Sequence, residues 1–171
     1  MFPGLLRQRP LINTQSINFE RLSRLPPNSF GKKYAEYMST HDFSADKRPA
    51  VKYIENDDLA YVILRYRQVH DFWHTLTGLP PTLLGEIALK YFEWRVTGLP
   101  TCGLSTLIGP VSLTWRERRM LLESYVPWAL RSATECEDLM LFPYEKKLEM
   151  DIEDVRAELN LEPAPNVEAK L

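Results

Sequence analysis

Apolar residues recur along this chain mostly at spacings of three and four, the repeat of a helix face. The strongest stretch runs from Asp57 to about Leu76, where Leu59, Val62, Ile63, Tyr66, Val69 and Trp73 make one apolar stripe. Asn56 stands where a cap belongs, and Asp57 and Asp58 place negative charge against the helix dipole. Gly78 and Pro80-Pro81 end it. A second helix is predicted from Thr82 to about Val96. Leu83, Leu84, Ile87, Ala88, Leu89, Tyr91, Phe92 and Trp94 cover most of its circumference, which marks a helix that is central or that touches a membrane or partner.

The flanking pattern is weaker. Phe19–Pro27 reads as a basic, proline-ended connector, and Asn28 or Ser29 caps a helix starting near Phe30 that carries Tyr34, Tyr37 and Met38. Thr40–Pro49 is loop-like, with a short extended piece at Val51–Ile54. Gly98 and Pro100 end the second long helix, and residues 101–113 suggest a short helix plus turn. Thr114 with Glu117 makes a capping box for a helix through Leu130, kinked at Pro127. Tyr144–Met150 extends the last long segment, and a final helix over Asp151–Leu159 turns Ile152, Val155 and Leu159 inward. The expected fold is all-α: a single compact helical domain with a central helical hairpin. It spans residues 20–161, between a flexible or targeting-like N-terminus at 1–19 and a frayed tail at 162–171.

Composition narrows the function. At 171 residues, with 44% hydrophobic residues and 11% aromatics, the chain holds enough apolar material for one core. A net charge of -2 leaves no basic excess, so nucleic acid is not an expected partner. Cys102 and Cys136 do not make a disulfide framework, and free thiols in a reducing compartment are expected. No stretch reaches the roughly 20 consecutive apolar residues of a membrane-spanning helix. The first nineteen residues contain no acid and carry Arg7 and Arg9 beside Leu5 and Leu6, a weak likeness to a matrix-targeting segment that Pro3 and Pro10 oppose.

The chemistry concentrates at the hairpin. His70 and His74 are four apart, about one helical turn, so both imidazoles leave one face. Asp71 projects toward that face from the side, and a helix folding back after Gly78-Leu79-Pro80-Pro81 brings Glu86 opposite the pair. Imidazole with carboxylate suits zinc, iron, cobalt or manganese better than calcium, and two of each can leave a position for water or substrate. The plain alternatives stay open. Two such histidines also occur as polar residues on a half-buried surface, and the carboxylates could pair with Arg65, Arg67 or Lys90. Arg65, Arg67 and Arg95 are weak candidates for binding an anionic group, against the reading of solvated helix charges. Trp73, Phe92 and Trp94 fit a core or a greasy pocket, Cys102 has no base nearby in sequence, and His41-Asp42 is a loop pair of undefined reach. No catalytic residue is identified beyond the metal ligands.

The run Arg65-Tyr66-Arg67-Gln68-Val69-His70-Asp71-Phe72-Trp73-His74-Thr75-Leu76, with eleven residues from Thr75 to Gly85 before Glu86, resembles the signature of the mitochondrial ubiquinone (coenzyme Q) biosynthesis protein number four family. The similarity continues through Lys90-Tyr91-Phe92-Glu93, Thr97-Gly98-Leu99-Pro100, Pro127-Trp128-Ala129, Tyr144-Glu145-Lys146-Lys147-Leu148-Glu149 and the Asp46-Lys47-Arg48-Pro49 turn. Members of that family carry a longer N-terminal part, so the likeness is to a shortened member or a paralogue. The resemblance implies an all-helical fold and a divalent ion, zinc first, at His70, Asp71, His74 and Glu86. It implies a peripheral place on the matrix side of the inner mitochondrial membrane, and partners among the proteins of a coenzyme Q synthesis complex, with a homodimer also in range. The implied substrate is a polyprenylated hydroxybenzoate, the prenylated quinone precursor lipid, and the implied activity is a C1-decarboxylating lyase. The competing implication is a non-catalytic scaffold or lipid-binding subunit of a mitochondrial membrane complex.

Overall fold

Helix boundaries fall where the caps stand. In the computed structural model, which describes residues 3–47 and 51–166, the α-helices are α1 (Pro3–Gln8), α2 (Phe19–Ser23), α3 (Phe30–Thr40), α4 (Asp57–Thr77), α5 (Leu83–Thr97), α6 (Pro100–Ile108), α7 (Trp115–Met120), α8 (Val126–Glu135) and α9 (Ile152–Glu158). Among the described residues there is no strand, only an isolated bridge between Ser29 and Asp151. Ser29 accepts from the Lys32 N–H to open α3, the Asn56 side chain accepts from the Leu59 N–H to open α4, and Thr82 accepts from the Gly85 N–H to open α5. Gly78 and Gly98 stop α4 and α5 at φ of 75° and 66°, values that cost a residue without a Cβ nothing. The Arg48-Pro49 part of the expected turn and residues 167–171 of the expected tail lie outside the described residues.

The chain gathers into two compact units, Met1–Thr75 with Met140–Val155, and Leu76–Leu139 with Arg156–Leu171. In the first, the Phe72 ring of α4 lies 4.3 Å from Tyr34 and 5.2 Å from both Phe30 and Tyr144, centroid to centroid. Trp73 is wholly buried and its indole N–H donates to the Tyr144 hydroxyl at 2.9 Å. The backbone N–H groups of Phe30 and Gly31 donate to the carbonyls of Met150 and Leu148, and that of Ile152 to Asn28, which laces the 148–152 segment to the start of α3. Ile12 and Ile17 are buried in this unit as well.

Three segments differ from the sequence expectation here. The Phe19–Pro27 connector contains α2, because the Asn18 side chain accepts from the Arg21 N–H and supplies a cap. Val51–Ile54 forms no strand, since Tyr53 stands exposed at a left-handed φ of 64°. Tyr144–Lys146 is a single 3₁₀ turn entered from Pro143, not an extension of a long helix.

In the second unit α5 packs against α8 and α6. Phe92 stacks on Trp128 at 5.7 Å with planes 10° apart, and the Tyr91 hydroxyl donates to the Thr106 carbonyl. The expected capping box of Thr114 and Glu117 is present. The helix it opens does not stop near Leu130. It passes through a π segment, Leu121–Tyr125, and continues as α8 to Glu135. Pro127 has no N–H to give the Glu123 carbonyl and its ring crowds that carbonyl, so the ladder widens by one residue, with Val126 N–H donating to Leu121.

Gly85, in the first turn of α5, makes the tight corner after Pro80-Pro81 possible. A Cβ there would stand 2.0 Å from the Pro80 carbonyl oxygen, a backbone atom that cannot swing aside. Gly85→Ala is therefore expected to destabilise the protein by roughly 2–3 kcal/mol, read from the denaturant midpoint.

Candidate metal centre

His70 and His74 leave α4 one turn apart, with ring centroids 4.8 Å apart and planes at 89°. His74 is buried and His70 half-buried. Val69, Phe72 and Trp73 are fully buried around the same turn, so the helix cannot roll without exposing them. On its other side the His74 ring stacks on Tyr37 of α3, at 5.5 Å with planes 17° apart. Tyr37 in turn meets His41 edge-on at 5.0 Å. This is where the His41-Asp42 pair stands: His41 caps α3 and joins a row of rings that ends at the two histidines. Tyr37 has no metal-binding signature, and its helical spacing in the sequence marked it only as core. Nothing in the pattern tied it to His74.

Glu86 stands in the first turn of α5, where backbone N–H groups and the helix dipole favour a carboxylate. It is half-buried and lines a cavity of about 410 Å³ with Ile87, Lys90, Leu104, Ser105, Ile108 and Gly109. Among the described residues, His70, His74 and Glu86 form a candidate metal group, each offering one ligand atom, with these atoms within 4.8 Å of one another. Bonds of about 2.0–2.2 Å put tetrahedral donors roughly 3.3 Å apart, within the separation found here. Two imidazoles and a carboxylate are a donor set that fits zinc and its first-row neighbours. Asp71, expected as a fourth ligand, is not part of the group. One residue along α4 turns its side chain about 100° from His70. It is buried, and its carbonyl accepts from the Thr75 hydroxyl.

The Lys90 ammonium lies 2.5 Å from the carboxylate of Glu93, which is fully buried two turns beyond Glu86. Cys102 approaches that same carboxylate, with Sγ 3.5 Å away, so the thiol does have an acidic neighbour that its sequence surroundings did not show. Both cysteines are free, and burial pushes the Cys136 thiol up to about 11. Arg65 is wholly buried. It donates to the Phe142 carbonyl at 2.9 Å and to Glu145 at 3.1 Å, beside the Tyr144 ring. Its Nε and Nη1 have no hydrogen-bond partner, so the guanidinium is an internal brace with no face toward solvent. Arg67 is half-buried on α4 and Arg95 exposed near the end of α5. Trp73 and Phe92 are core, while Trp94 is 45% exposed against Gly103.

Fold and site together define a class: an all-helical protein with a candidate His/His/Glu metal group at the end of one long helix and the start of the next. The sequence profile of the family described as coenzyme Q (ubiquinone) biosynthesis protein Coq4 matches residues 4–165. The chain is similar to the mitochondrial ubiquinone biosynthesis protein COQ4 homolog of Aedes aegypti, 40% identical over 92% of this chain and 58% of that protein. It is likewise similar to the mitochondrial COQ4 protein of Komagataella phaffii, 42% identical over 95% of this chain and 54% of the relative. A crystal structure of a candidate ubiquinone biosynthesis protein from Nostoc punctiforme superposes with a TM-score of 0.75 at 22% identity, over 91% of this chain and 72% of that one, and shares the fold. The chain belongs to the Coq4 family. It spans little more than half the length of those two mitochondrial relatives.

Two predictions follow from the side chains around the site. Glu145→Gln leaves a buried guanidinium without its counter-charge and should cost about 3 kcal/mol in denaturant unfolding, whereas Arg65→Met should cost clearly less, because Glu145 reaches solvent. For Tyr37, replacement by Leu removes the stack that orients the His74 ring. Zinc retention, measured by competition with a chromophoric chelator, should fall by about two- to tenfold, and Tyr37→Phe should restore it.

Proposed function

We propose that this chain acts in coenzyme Q biosynthesis as a divalent-metal protein whose ligands are His70, His74 and Glu86, and that it works on a polyprenylated hydroxybenzoate by removing the C1 carboxyl group. The grouping of those three side chains, in a chain that belongs to the Coq4 family, carries this reading. When bound, the ion supplies a Lewis acid that neutralises charge on a phenolate or carboxylate oxygen. The residues of the chain do the rest. His74, fixed between Tyr37 and His70, holds its ring plane, and Glu86 stands at a helix start, where a carboxylate is favoured. Ile87, Leu104 and Ile108 give the cavity beside Glu86 an apolar wall for an isoprenoid chain, each buried methylene contributing about 0.8 kcal/mol. In the reaction the bond from C1 to the carboxyl carbon breaks, carbon dioxide leaves, its electron pair stays on the ring, and a proton takes the vacated position.

The setting belongs to the same proposal. It includes a site at the matrix face of the inner membrane, among the other proteins of a synthesis complex, and relatives named mitochondrial support that reading. Among the described residues no helix is long and apolar enough to cross a membrane, which agrees with a peripheral attachment. A second reading, a lipid-binding or scaffolding subunit without turnover, is favoured by the large exposed apolar residues of α6 and its neighbours.

Glu86→Gln tests the first reading. It keeps the shape and removes the charge. Elemental analysis should show the bound metal falling at least about tenfold, with loss of carbon dioxide release from a prenylated hydroxybenzoate. Unchanged metal content in that variant overturns the ligand assignment. Full metal content in the unaltered chain with no turnover moves the conclusion to the binding protein.

A further inference from the structure

The second unit leaves one apolar face uncovered. Along α6, the 3₁₀ turn Gly109–Ser112 and the start of α7, the exposed side chains are Leu104, Leu107, Ile108, Val111 and Trp115. Their exposures run from 57% for Leu104 to 78% for Leu107, with Trp115 at 75%. Leu104, Leu107 and Ile108 fall at i, i+3 and i+4 on α6, Val111 follows in the 3₁₀ turn, and Trp115 opens α7 after the extended Leu113 and Thr114. The opposite side of the same segment is buried, with Cys102 at 1%, Thr106 and Leu113 each at 4%. The segment is thus amphipathic, with its inner face satisfied and its outer face greasy. In water those five side chains have nothing to gain.

Charge indicates the occupant. From Trp94 to Arg116 there is no acid, and over residues 94–123 four arginines (Arg95, Arg116, Arg118, Arg119) stand against two glutamates, Glu117 and Glu123, the second paired with Arg119. The chain as a whole carries -2, so this region departs from the average in sign. Arg118 donates to the carbonyls of Val111 and Leu113 at the end of the stripe, and the Arg119 guanidinium lies 5.9 Å from the Trp115 ring centre. A leucine-rich stripe ending in tryptophan and arginine has the chemistry of a helix lying in a bilayer interface, where acyl chains take the apolar side chains, the indole sits at headgroup level and the cations meet lipid phosphate. Leu104 and Ile108 also line the cavity that contains Glu86 and Lys90, so the stripe and the cavity share a wall.

We propose that the Leu104–Trp115 stripe, with Arg116 beside it, is the surface that seats this chain on an anionic lipid bilayer, with the shared cavity wall at the lipid side. This rests on the reading above, in which a prenylated lipid is the ligand, and it names the surface through which such a molecule would pass from the membrane. Leu107 and Val111 belong to the stripe but not to the cavity, so they separate docking from chemistry.

The test is sedimentation of the full chain with vesicles of phosphatidylcholine alone, or of phosphatidylcholine with phosphatidylglycerol. The chain should sediment with the anionic vesicles, and Leu107→Glu with Val111→Glu should weaken that binding by at least about a hundredfold. Arg116→Glu should weaken it by about tenfold, and raised salt should act in the same direction. Brominated lipid should quench Trp115 fluorescence, and the quenching should vanish in Trp115→Phe. The double-Glu variant should keep its melting temperature and metal content, while Glu86→Gln should keep vesicle binding, so docking and the metal reading fail separately. The proposal is overturned if the chain ignores anionic vesicles, or if the double-Glu variant binds them unchanged. It is equally overturned if that variant turns a dimer into a monomer without altering vesicle binding, which would make the stripe a contact between two copies.

Discussion

Burial of Phe72 among Phe30, Tyr34 and Tyr144 fixes the rotation of α4 about its own axis, and the placement of His70 and His74 follows from that rotation. A helix that rolled by one residue would turn about 100° and bring a polar side chain into the ring cluster, at a cost of several kcal/mol for the lost aromatic burial. The same cluster ties α3 to α4, which is why Tyr37, one turn after Tyr34 on α3, arrives flat against His74. The orientation of the imidazole is therefore set by packing, before any ion is considered. Arg65 extends the brace toward the Tyr144 turn. Its buried charge is held by Glu145, and the partner cannot be lost without leaving a cation stranded in the interior.

Much of this was legible in the residues because local rules decide it. Asn56, Thr82 and Thr114 open helices where a short polar side chain can reach a free N–H, and Gly78 and Gly98 close them where a left-handed φ is needed. The periodic core of α4 and the one-turn spacing of the histidines belong to the same class of signal. The parts that were not legible depend on contacts distant in sequence. Tyr37 meets His74 across 37 positions, and Arg65 meets Glu145 across 80. Asp71, three residues before His74, is buried and is not among the three grouped residues. The π segment before Pro127 is a further case: the proline signalled trouble in the ladder, but whether the helix breaks or widens depends on the packing of Leu121 and Tyr125, both buried.

The start of α5 shows how a turn prepares a carboxylate for work. Pro80-Pro81 ends one helix, Thr82 caps the next, and Gly85 removes the Cβ that would collide with the Pro80 carbonyl. Glu86 comes immediately after, still within the turn whose N–H groups favour an anion. Further along the same helix, Glu93 solves the burial of a carboxylate in the opposite way, with a lysine ammonium at hydrogen-bond distance. Two glutamates two helical turns apart are thus set in different surroundings: Glu86 is half-buried in the first turn of α5, and Glu93 is fully buried against a lysine ammonium.

The two cysteines complete that logic. A thiolate is a softer and tighter ligand for zinc than an imidazole or a carboxylate, and a thiolate beside the histidines would shift the site toward structural, closed coordination. Neither cysteine belongs to the His/His/Glu group. Cys136 has its thiol pushed up to about 11 by burial, which keeps it protonated and a poor ligand at neutral pH. Cys102 is buried with its sulfur against the Glu93 carboxylate. The candidate group is made of two imidazoles and a carboxylate, a set that can leave a coordination position open. In a metal centre of that composition, such an open position is where water or a substrate oxygen binds.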